Sequence, residues 1–253
     1  MSLMVEATVR GARRLGDYIV LSFHAPSIAS AAVPGQFVNI ALEPGGACIL
    51  RRPFSIYEAD ASSGDVSVAF DAIGSGTRWL STRFKGQTLD VVGPLGTGFT
   101  VEPGPALLVG GGYGTAALTF LARALPGPVH AIVGARSASR LFIDDALRSV
   151  AASITVTTDD GSAGTRGVVT DVMPAVIAEH GIQTVYACGP NVMLKAVGTA
   201  AGVPTQLAVE EFMACGIGVC WTCVVPVRAN GSVAHSRVCT EGPVFEGAAL
   251  AWA

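Results

Sequence analysis

Charge is scarce in this chain: 14% of its 253 residues are Asp, Glu, Lys or Arg, and the 16 basic residues are outnumbered by 19 acidic ones. No basic stripe exists to follow a phosphate backbone, and the pairs Arg13-Arg14 and Arg51-Arg52 are short and isolated, so a nucleic-acid partner is not expected. Low-complexity linkers and internal repeats are also missing. The N-terminal stretch MSLMVEATVRGARRLGDY lacks an apolar segment followed by a small-residue cleavage site, and the expected location is the cytoplasm. Half of the residues are hydrophobic and the mean hydropathy is +0.51, which excludes a disordered chain. One uncharged run, Pro105 to Ala122, reaches membrane-spanning length, but its glycines fall in one cluster, so a strand, a turn and a helix explain it better than a membrane span.

The first hundred residues carry a rhythm of short strands broken by Gly, Pro, Ser and Asp: VEATVRGARRL, YIVLSFHA, GQFVNIAL, FSIYEA, DVSVAFDAI and TLDVVG. That rhythm predicts a small antiparallel β-barrel, with a helical piece at Gly76 to Thr82. From Pro105 apolar strands alternate with helical patterns: ALLV, a helix with Leu118, Leu121, Ala122 and Leu125 on one face, VHAIV, a helix near Leu141 to Ala152, and ITVTT. A helix carrying Val169, Val172, Met173, Val176 and Ile177 follows, then TVYAC, a short helix after Pro190 and a strand near Gln206 to Val209. Pro174 fits that helix only near its first turn. The alternation predicts a doubly wound parallel sheet, so the fold class is mixed β and α/β, with a compact tail. The change of rhythm divides the chain into residues 1–98, 99–208 and 209–253.

Cysteine is used sparingly, six times, yet four of the six lie in the tail. Cys215, Cys220, Cys223 and Cys239 are spaced C-x4-C-x2-C followed by a distant fourth cysteine, the pattern of a plant-type [2Fe-2S] loop. Gly216 and Gly218 allow the backbone between the first two thiolates to wrap around a small inorganic core, with bare N–H groups free to face its sulfurs. A structural zinc site with four cysteine ligands is the rival; it tends to use two similar C-x2-C hooks, and only one is present. Cys48 has no partner in the pattern and reads as a small buried apolar residue.

Strand ALLV runs into GGGYGT, Gly110 to Thr115, and then into a helix, an arrangement that lets a diphosphate approach bare backbone at a helix N-terminus. The alternative is a tight turn without a ligand. The acidic residue that ordinarily follows about 20 positions on, for the adenosine ribose, is absent. Because ligands collect beyond the carboxyl ends of parallel strands, GGGYGT, TTDDGS and ACGPN are expected to meet at one crevice.

Taken in order, RRPFSI, GSGT, GGGYGTAAL, TTDDGS, YACGP and EEFMACGIGVCWTC closely resemble the electron-transfer subunits of NAD-dependent dihydroorotate dehydrogenases, members of the ferredoxin-NADP reductase superfamily. The resemblance implies FAD in the barrel, met by Arg52, Pro53, Phe54 and Ser55, by the strand residues Ala69, Phe70 and Asp71, and by Gly76 and Thr77. Asp71 stands where such proteins often carry a basic residue. It implies NAD(H) at Gly111, Gly112, Gly114, Thr115, Cys188, Gly189 and Pro190, with Tyr113 and Ala117 replacing a common isoleucine and proline. Arg136 and Arg140 are of a kind that can also hold a 2'-phosphate. The tail cysteines are then [2Fe-2S] ligands. The implied partner is an FMN-containing dihydroorotate dehydrogenase catalytic subunit in a heterotetramer, and since no proton-abstracting constellation is visible, dihydroorotate is oxidised there. A subunit of a ferredoxin-dependent NADP reductase or hydrogenase complex, or a zinc-stabilised flavin-binding module, are the alternatives. Barrel and tail are expected to behave as separate modules, and Trp221 as either an exposed docking residue or a packed one.

Overall fold

The computed structural model describes residues 3–42, 48–229 and 231–252. Six strands, β1 (Leu3–Leu15), β2 (Tyr18–His24), β3 (Phe37–Ile40), β4 (Arg52–Asp60), β5 (Asp65–Asp71) and β6 (Thr88–Leu95), close into an antiparallel barrel in the order β1-β2-β5-β4-β3-β6. Alternation decides which side chains fill it. In β2, Ile19, Leu21 and Phe23 enter the barrel core with Val38, Ile40, Ile56, Val66, Val68 and Val91, while Tyr18 and Val20 leave by the other face. Two short helices, α1 (Pro26–Ala29) and α2 (Ser75–Ser81), accompany the strands, the second where the sequence places its helical piece.

The second layer is a sheet of strands β7 (Ala106–Gly111), β8 (Val129–Ala135), β9 (Ser153–Thr158), β10 (Thr165–Arg166), β11 (Thr184–Cys188) and β12 (Thr205–Ala208), parallel in the order β10-β9-β8-β7-β11-β12. Successive residues of β7 serve opposite faces. Leu108 packs with Leu118 and Leu121 of α3 (Thr115–Ala122) and with Leu147 of α4 (Asp145–Val150). Leu107 and Val109 pack with Met173 and Val176 of α5 (Val169–His180) and with Leu194 and Val197 of α6 (Asn191–Ala200). Helices therefore cover both faces, and continuous apolar strands such as β11 are buried along their whole length. The run Pro105 to Ala122 resolves into β7, a tight turn and α3, and among the described residues no helix is long and apolar enough to cross a membrane.

Pro174 lies inside α5, beyond its first turn. The helix tolerates it because the remaining backbone bonds continue around it, Asp171 caps the start by accepting from the Val168 N–H at 2.8 Å, and Gly181 closes the end at φ 59°.

The tail is not an independent module. Its hairpin, β13 (Val224–Ala229) and β14 (Ser232–Arg237), stands apart as a two-stranded sheet, but β15 (Val244–Glu246) pairs antiparallel with β12 and becomes the edge of the large sheet. The barrel also holds the tail: the Thr97 N–H donates to the Gly242 carbonyl at 2.6 Å and the Thr97 hydroxyl to the Thr240 carbonyl at 3.2 Å. An exposed sheet edge leaves unpaired N–H and C=O groups, and β15 satisfies them.

Barrel and sheet meet through the outward face of the barrel. Tyr18, Val20, Tyr57 and Ala69 pack with Ala116 and Phe142. The Tyr57 hydroxyl donates to the buried Asp144 carboxylate and accepts from Arg13 Nη2 at 3.1 Å. Asp144 also caps α4 by accepting from the Leu147 N–H at 2.8 Å, so one carboxylate ties the barrel to the second layer.

Candidate functional site

A cavity of about 260 Å³ opens between the barrel and the start of α3. Arg52, Pro53, Phe54 and Ser55 of β4, Ala69, Phe70 and Asp71 of β5, and Thr77 of α2 all line it. Pairing in the barrel explains the assembly, because β4 and β5 are antiparallel neighbours, so the start of β4 and the end of β5 lie at the same end of the barrel. Phe54 and Phe70 meet at a tilt of 54°, with 5.4 Å between ring centroids, and make an apolar floor, while Ser55 and Thr77 supply hydroxyls. The Arg52 guanidinium sits exposed at the rim, donating to the Leu50 carbonyl at 3.0 Å. An apolar aromatic floor edged by hydroxyls with a guanidinium at the mouth suits a flavin ring and its diphosphate. Gly76 is placed differently: it is buried at the foot of α2 against Leu42 and Cys48, off the cavity wall. Asp71 is engaged by Arg140, 2.5 Å away, which reaches across from the second layer. The acidic residue in a position often basic is thus balanced by a cation from another element.

A larger cleft of about 870 Å³ lies beyond the carboxyl ends of β7, β8, β9 and β11. Gly111, Gly112, Gly114, Gly189 and Pro190 line it, with Arg136 and Asp159 farther along. Bare backbone is a steric necessity here: a Cβ on Gly189 would come within 3.0 Å of the Gly111 backbone, and one on Gly114 within 2.7 Å of the Cys188 carbonyl oxygen. Thr115 and Cys188 lie behind these glycines, 2% and 1% exposed, rather than on the wall. Burial pushes the Cys188 thiol well up, so it stays protonated. Arg140 lines the cleft while paired to Asp71; Arg136 stands opposite Asp159 in sequence order, at the ends of β8 and β9.

Three residues, Tyr113, Gly114 and Glu210, line both cavities. The Tyr113 hydroxyl donates to Glu210 Oε2 at 3.1 Å, and the tyrosine ring meets Tyr18 edge-on at 6.1 Å. Part of Glu210 reaches solvent, yet loss of hydration between the cleft walls raises its carboxyl pKa, against the opposing hydrogen bond from Tyr113. The partition between the cavities is therefore one tyrosine–carboxyl contact.

The wall of the smaller cavity is completed by Glu211, Met213 and Pro243, which belong to the tail. Met213 stands two positions before Cys215 in the sequence, so the segment that leads into the cysteine loop forms part of the cavity wall. The thiols there group in pairs. Cys215 Sγ accepts from the backbone N–H groups of Val219 and Cys220 at 3.3 and 3.4 Å, and its side chain touches that of Cys220. Cys223 and Cys239, both 1% exposed, lie against each other, with the Gly218 N–H directed at the Cys239 sulfur. A hydrogen bond from the Thr222 side chain, with help from Cys215, pulls the exposed Cys220 thiol down to about 6, whereas burial and then Cys223 push Cys239 up to about 12. Among the described residues no three His, Cys, Asp or Glu side chains gather closely enough to hold a single metal ion. Two thiol pairs, with N–H groups turned toward sulfur, fit a core with two metal atoms, each taking one pair. Cys48, half-buried, contacts Ser75 and the barrel core, away from these four. Trp221 is 56% exposed beside Cys220, which resolves the choice in favour of the surface.

Glu210, Glu211, Met213, Tyr18 and Asp159 carry no signal of their own in the sequence. The first three precede the cysteine loop, and only the return of β12 beside β11 brings them to the cavity wall. Asp159 sits within TTDDGS, whose position after β9 was the available clue.

Comparison with known proteins agrees with this arrangement. The sequence model for the iron-sulfur cluster binding domain of dihydroorotate dehydrogenase B matches residues 210–251. The chain is 36% identical over 240 residues to the dihydroorotate dehydrogenase B (NAD(+)) electron transfer subunit of Desulforamulus reducens, covering 92% of each chain, and 39% identical over 221 residues to the subunit of that name from Fusobacterium nucleatum, covering 84% of each. Among solved structures, the NADH-dependent reduced ferredoxin-NADP oxidoreductase, studied for flavin-based electron bifurcation, superposes with a TM-score of 0.87 at 33% identity, covering 98% of this chain and 90% of that one. A ferredoxin NADP+ reductase from Neisseria gonorrhoeae with bound FAD and NADP shares the fold, with a TM-score of 0.63 at 15% identity, over 78% of this chain and 89% of that one.

Proposed function

This chain belongs to the family of dihydroorotate dehydrogenase B electron transfer subunits, and from that premise we propose that it carries electrons between NAD(H) and a catalytic partner through FAD and a [2Fe-2S] cluster. One observation carries the reading: the cavity suited to a flavin shares Tyr113, Gly114 and Glu210 with the nucleotide cleft and has Met213, two positions before Cys215, in its wall, so one cavity borders both the nucleotide cleft and the segment leading to the cysteines. A nicotinamide gives two electrons together and an iron-sulfur cluster takes one, and a bound flavin supplies the means of separating them.

The division of labour follows the domains: residues 1–98 hold FAD, 99–208 hold NAD(H) and 209–253 hold the cluster. Phe54 and Phe70 present the apolar floor, Ser55 and Thr77 hydrogen-bond the polar edge, and Arg52 faces the diphosphate. Gly111, Gly112 and Gly114, at the start of α3, offer bare N–H groups to the dinucleotide diphosphate, and Gly189 and Pro190 shape the place of the nicotinamide. Cys215 and Cys220 take one iron, and Cys223 and Cys239 the other. Tyr113 and Glu210 stand between the two clefts, where the nicotinamide would approach the flavin.

The exposed tail beside Cys220 is where a partner docks. That partner is an FMN-containing dihydroorotate dehydrogenase catalytic subunit in a cytoplasmic heterotetramer, serving pyrimidine biosynthesis, and dihydroorotate is oxidised on it. The test is reconstitution: the chain, loaded anaerobically with FAD, iron and sulfide, is mixed with such a catalytic subunit, and dihydroorotate-dependent reduction of NAD+ is followed at 340 nm. Coupled turnover is expected. NADH-reducible flavin without coupling to that subunit refutes the partner assignment.

The 33% identity to the ferredoxin-NADP oxidoreductase chain over nearly the full length favours a second reading, a subunit of a complex of that kind. Substituting that enzyme's other subunit in the same assay separates the two, since only one pairing restores turnover.

A further inference from the structure

The end of β14 presents a side chain that the electron path does not use. Arg237 lies two positions before Cys239, and its guanidinium is held on three sides. Nε and Nη2 form a fork on the Glu241 carboxylate at 3.0 and 2.5 Å, while the Arg237 backbone N–H donates to the same carboxylate at 2.7 Å. Nη1 donates to the Gly218 carbonyl at 2.8 Å, and the planar group lies 5.0 Å from the centre of the Trp221 ring.

The two ends of this clamp fall on either side of one residue. Gly218 precedes Cys220 by two positions and Trp221 follows it directly. Both have positive φ, 86° and 59°, and Trp221 is the one residue other than glycine with that conformation among those described. A tryptophan has no intrinsic reason to remain there; a surrounding contact has to hold it. Arg237 supplies that contact from the ring face, and it fixes the neighbouring turn through a carbonyl oxygen. Cys220, exposed and otherwise contacted by its near neighbours Cys215 and Thr222, is thereby set between two anchored points. Thr240 orients the fork by donating to Glu241 Oε1 at 3.0 Å.

We propose that Arg237, oriented by Glu241, is a positioning residue for Cys220: it holds the cysteine loop in the ligand-ready shape and places a fixed positive charge beside the metal core. The inference rests on the reading of the four cysteines as [2Fe-2S] ligands. Arginine is required rather than any cation, since only its planar fork engages a carboxylate, a carbonyl and a ring face together.

The test uses the FAD- and cluster-loaded protein. Iron release to an excess of EDTA is followed by the visible absorption of the cluster, and the cluster midpoint potential is measured by EPR-monitored titration. Arg237→Gln is expected to release iron at least tenfold faster with FAD content unchanged, and Arg237→Lys to rescue only part of that loss. Removing the positive charge lowers the midpoint potential, and Glu241→Gln, which removes the opposing negative charge, raises it. A merely structural role would not give shifts of opposite sign. Should Arg237→Gln fail to fold, Trp221→Leu removes the ring contact alone and is expected to speed iron release by a smaller factor. Wild-type rates of release in both variants, or potentials that move in the same direction, overturn the clamp while leaving the cluster reading intact. Wild-type protein that takes up neither iron nor sulfide overturns the cluster reading, and the clamp with it.

Discussion

Replacing Gly114 by Ala tests the architecture of the nucleotide cleft at its tightest point. Gly114 has φ −58° and ψ −25°, values that alanine adopts freely, so the substitution carries no backbone penalty. The added Cβ, however, would stand 2.7 Å from the Cys188 carbonyl oxygen, 2.8 Å from its carbon and 2.9 Å from Gly189 Cα. These are backbone atoms of the neighbouring strand, and no rotamer relieves them. Overpacking of this kind costs about 1–3 kcal/mol. For a chain of this size a loss of 1 kcal/mol lowers Tm by about 2–4 °C, so a fall on the order of 2–12 °C is expected by calorimetry. The strain forces α3 away from the loop after β11, and NADH affinity falls with it, by about 10-fold or more at 1.4 kcal/mol per decade. Gly181→Ala is the matched comparison: it has nothing within 4 Å but sits at φ 59°, so it costs about 1–2 kcal/mol through the backbone alone and leaves NADH binding unchanged. Wild-type Tm and wild-type NADH affinity in Gly114→Ala would refute the reasoning.

The cysteines differ in what they hold. Cys220→Ala removes an exposed side chain and is expected to abolish iron and acid-labile sulfide while FAD stays bound, whereas Cys239→Ala, in the core, lowers Tm as well; metal analysis and thermal unfolding separate the two. Tyr57→Phe strips the buried Asp144 of its barrel partner and is expected to cost about 1–3 kcal/mol in urea unfolding, with no cost meaning that the carboxylate is held by α4 alone. His130 stacks on His180 at 3.8 Å, and burial and then the second ring lower its pKa below 6.5. The unfolded chain then binds the proton more readily than the folded one, so stability drops as pH falls below 6.5, and His180→Leu makes the drop shallower; a flat profile from pH 7 to 5 counts against this.

The barrel strands were legible because each is a short run of β-branched and aromatic residues bounded by Gly, Pro, Ser or Asp. Tyr18–His24 reads as a strand from its own residues, and the structure keeps it. The parallel strands were legible as short apolar runs because of burial on both faces. Pro174 was misplaced because a missing N–H gives a preference rather than a veto, and the packing of Val169, Met173 and Val176 outweighs one lost hydrogen bond.

By itself, the sequence determined the chemistry that local spacing can encode: three sulfurs on one glycine-bearing loop, a bare backbone ahead of a helix, and an arginine next to a proline at the start of a strand. A loop of a few residues has few conformations, so the side chains it can bring together are written in the chain. Tertiary structure alone decided that β15 would bind the tail to the large sheet, that Asp71 would be neutralised by Arg140, and that Tyr113, Glu210 and Met213 would share a wall. Those contacts join residues from 36 positions apart, as for Ala208 and Val244, to 100 apart, as for Tyr113 and Met213, where no periodicity links one to the other, and only strand order brings them together.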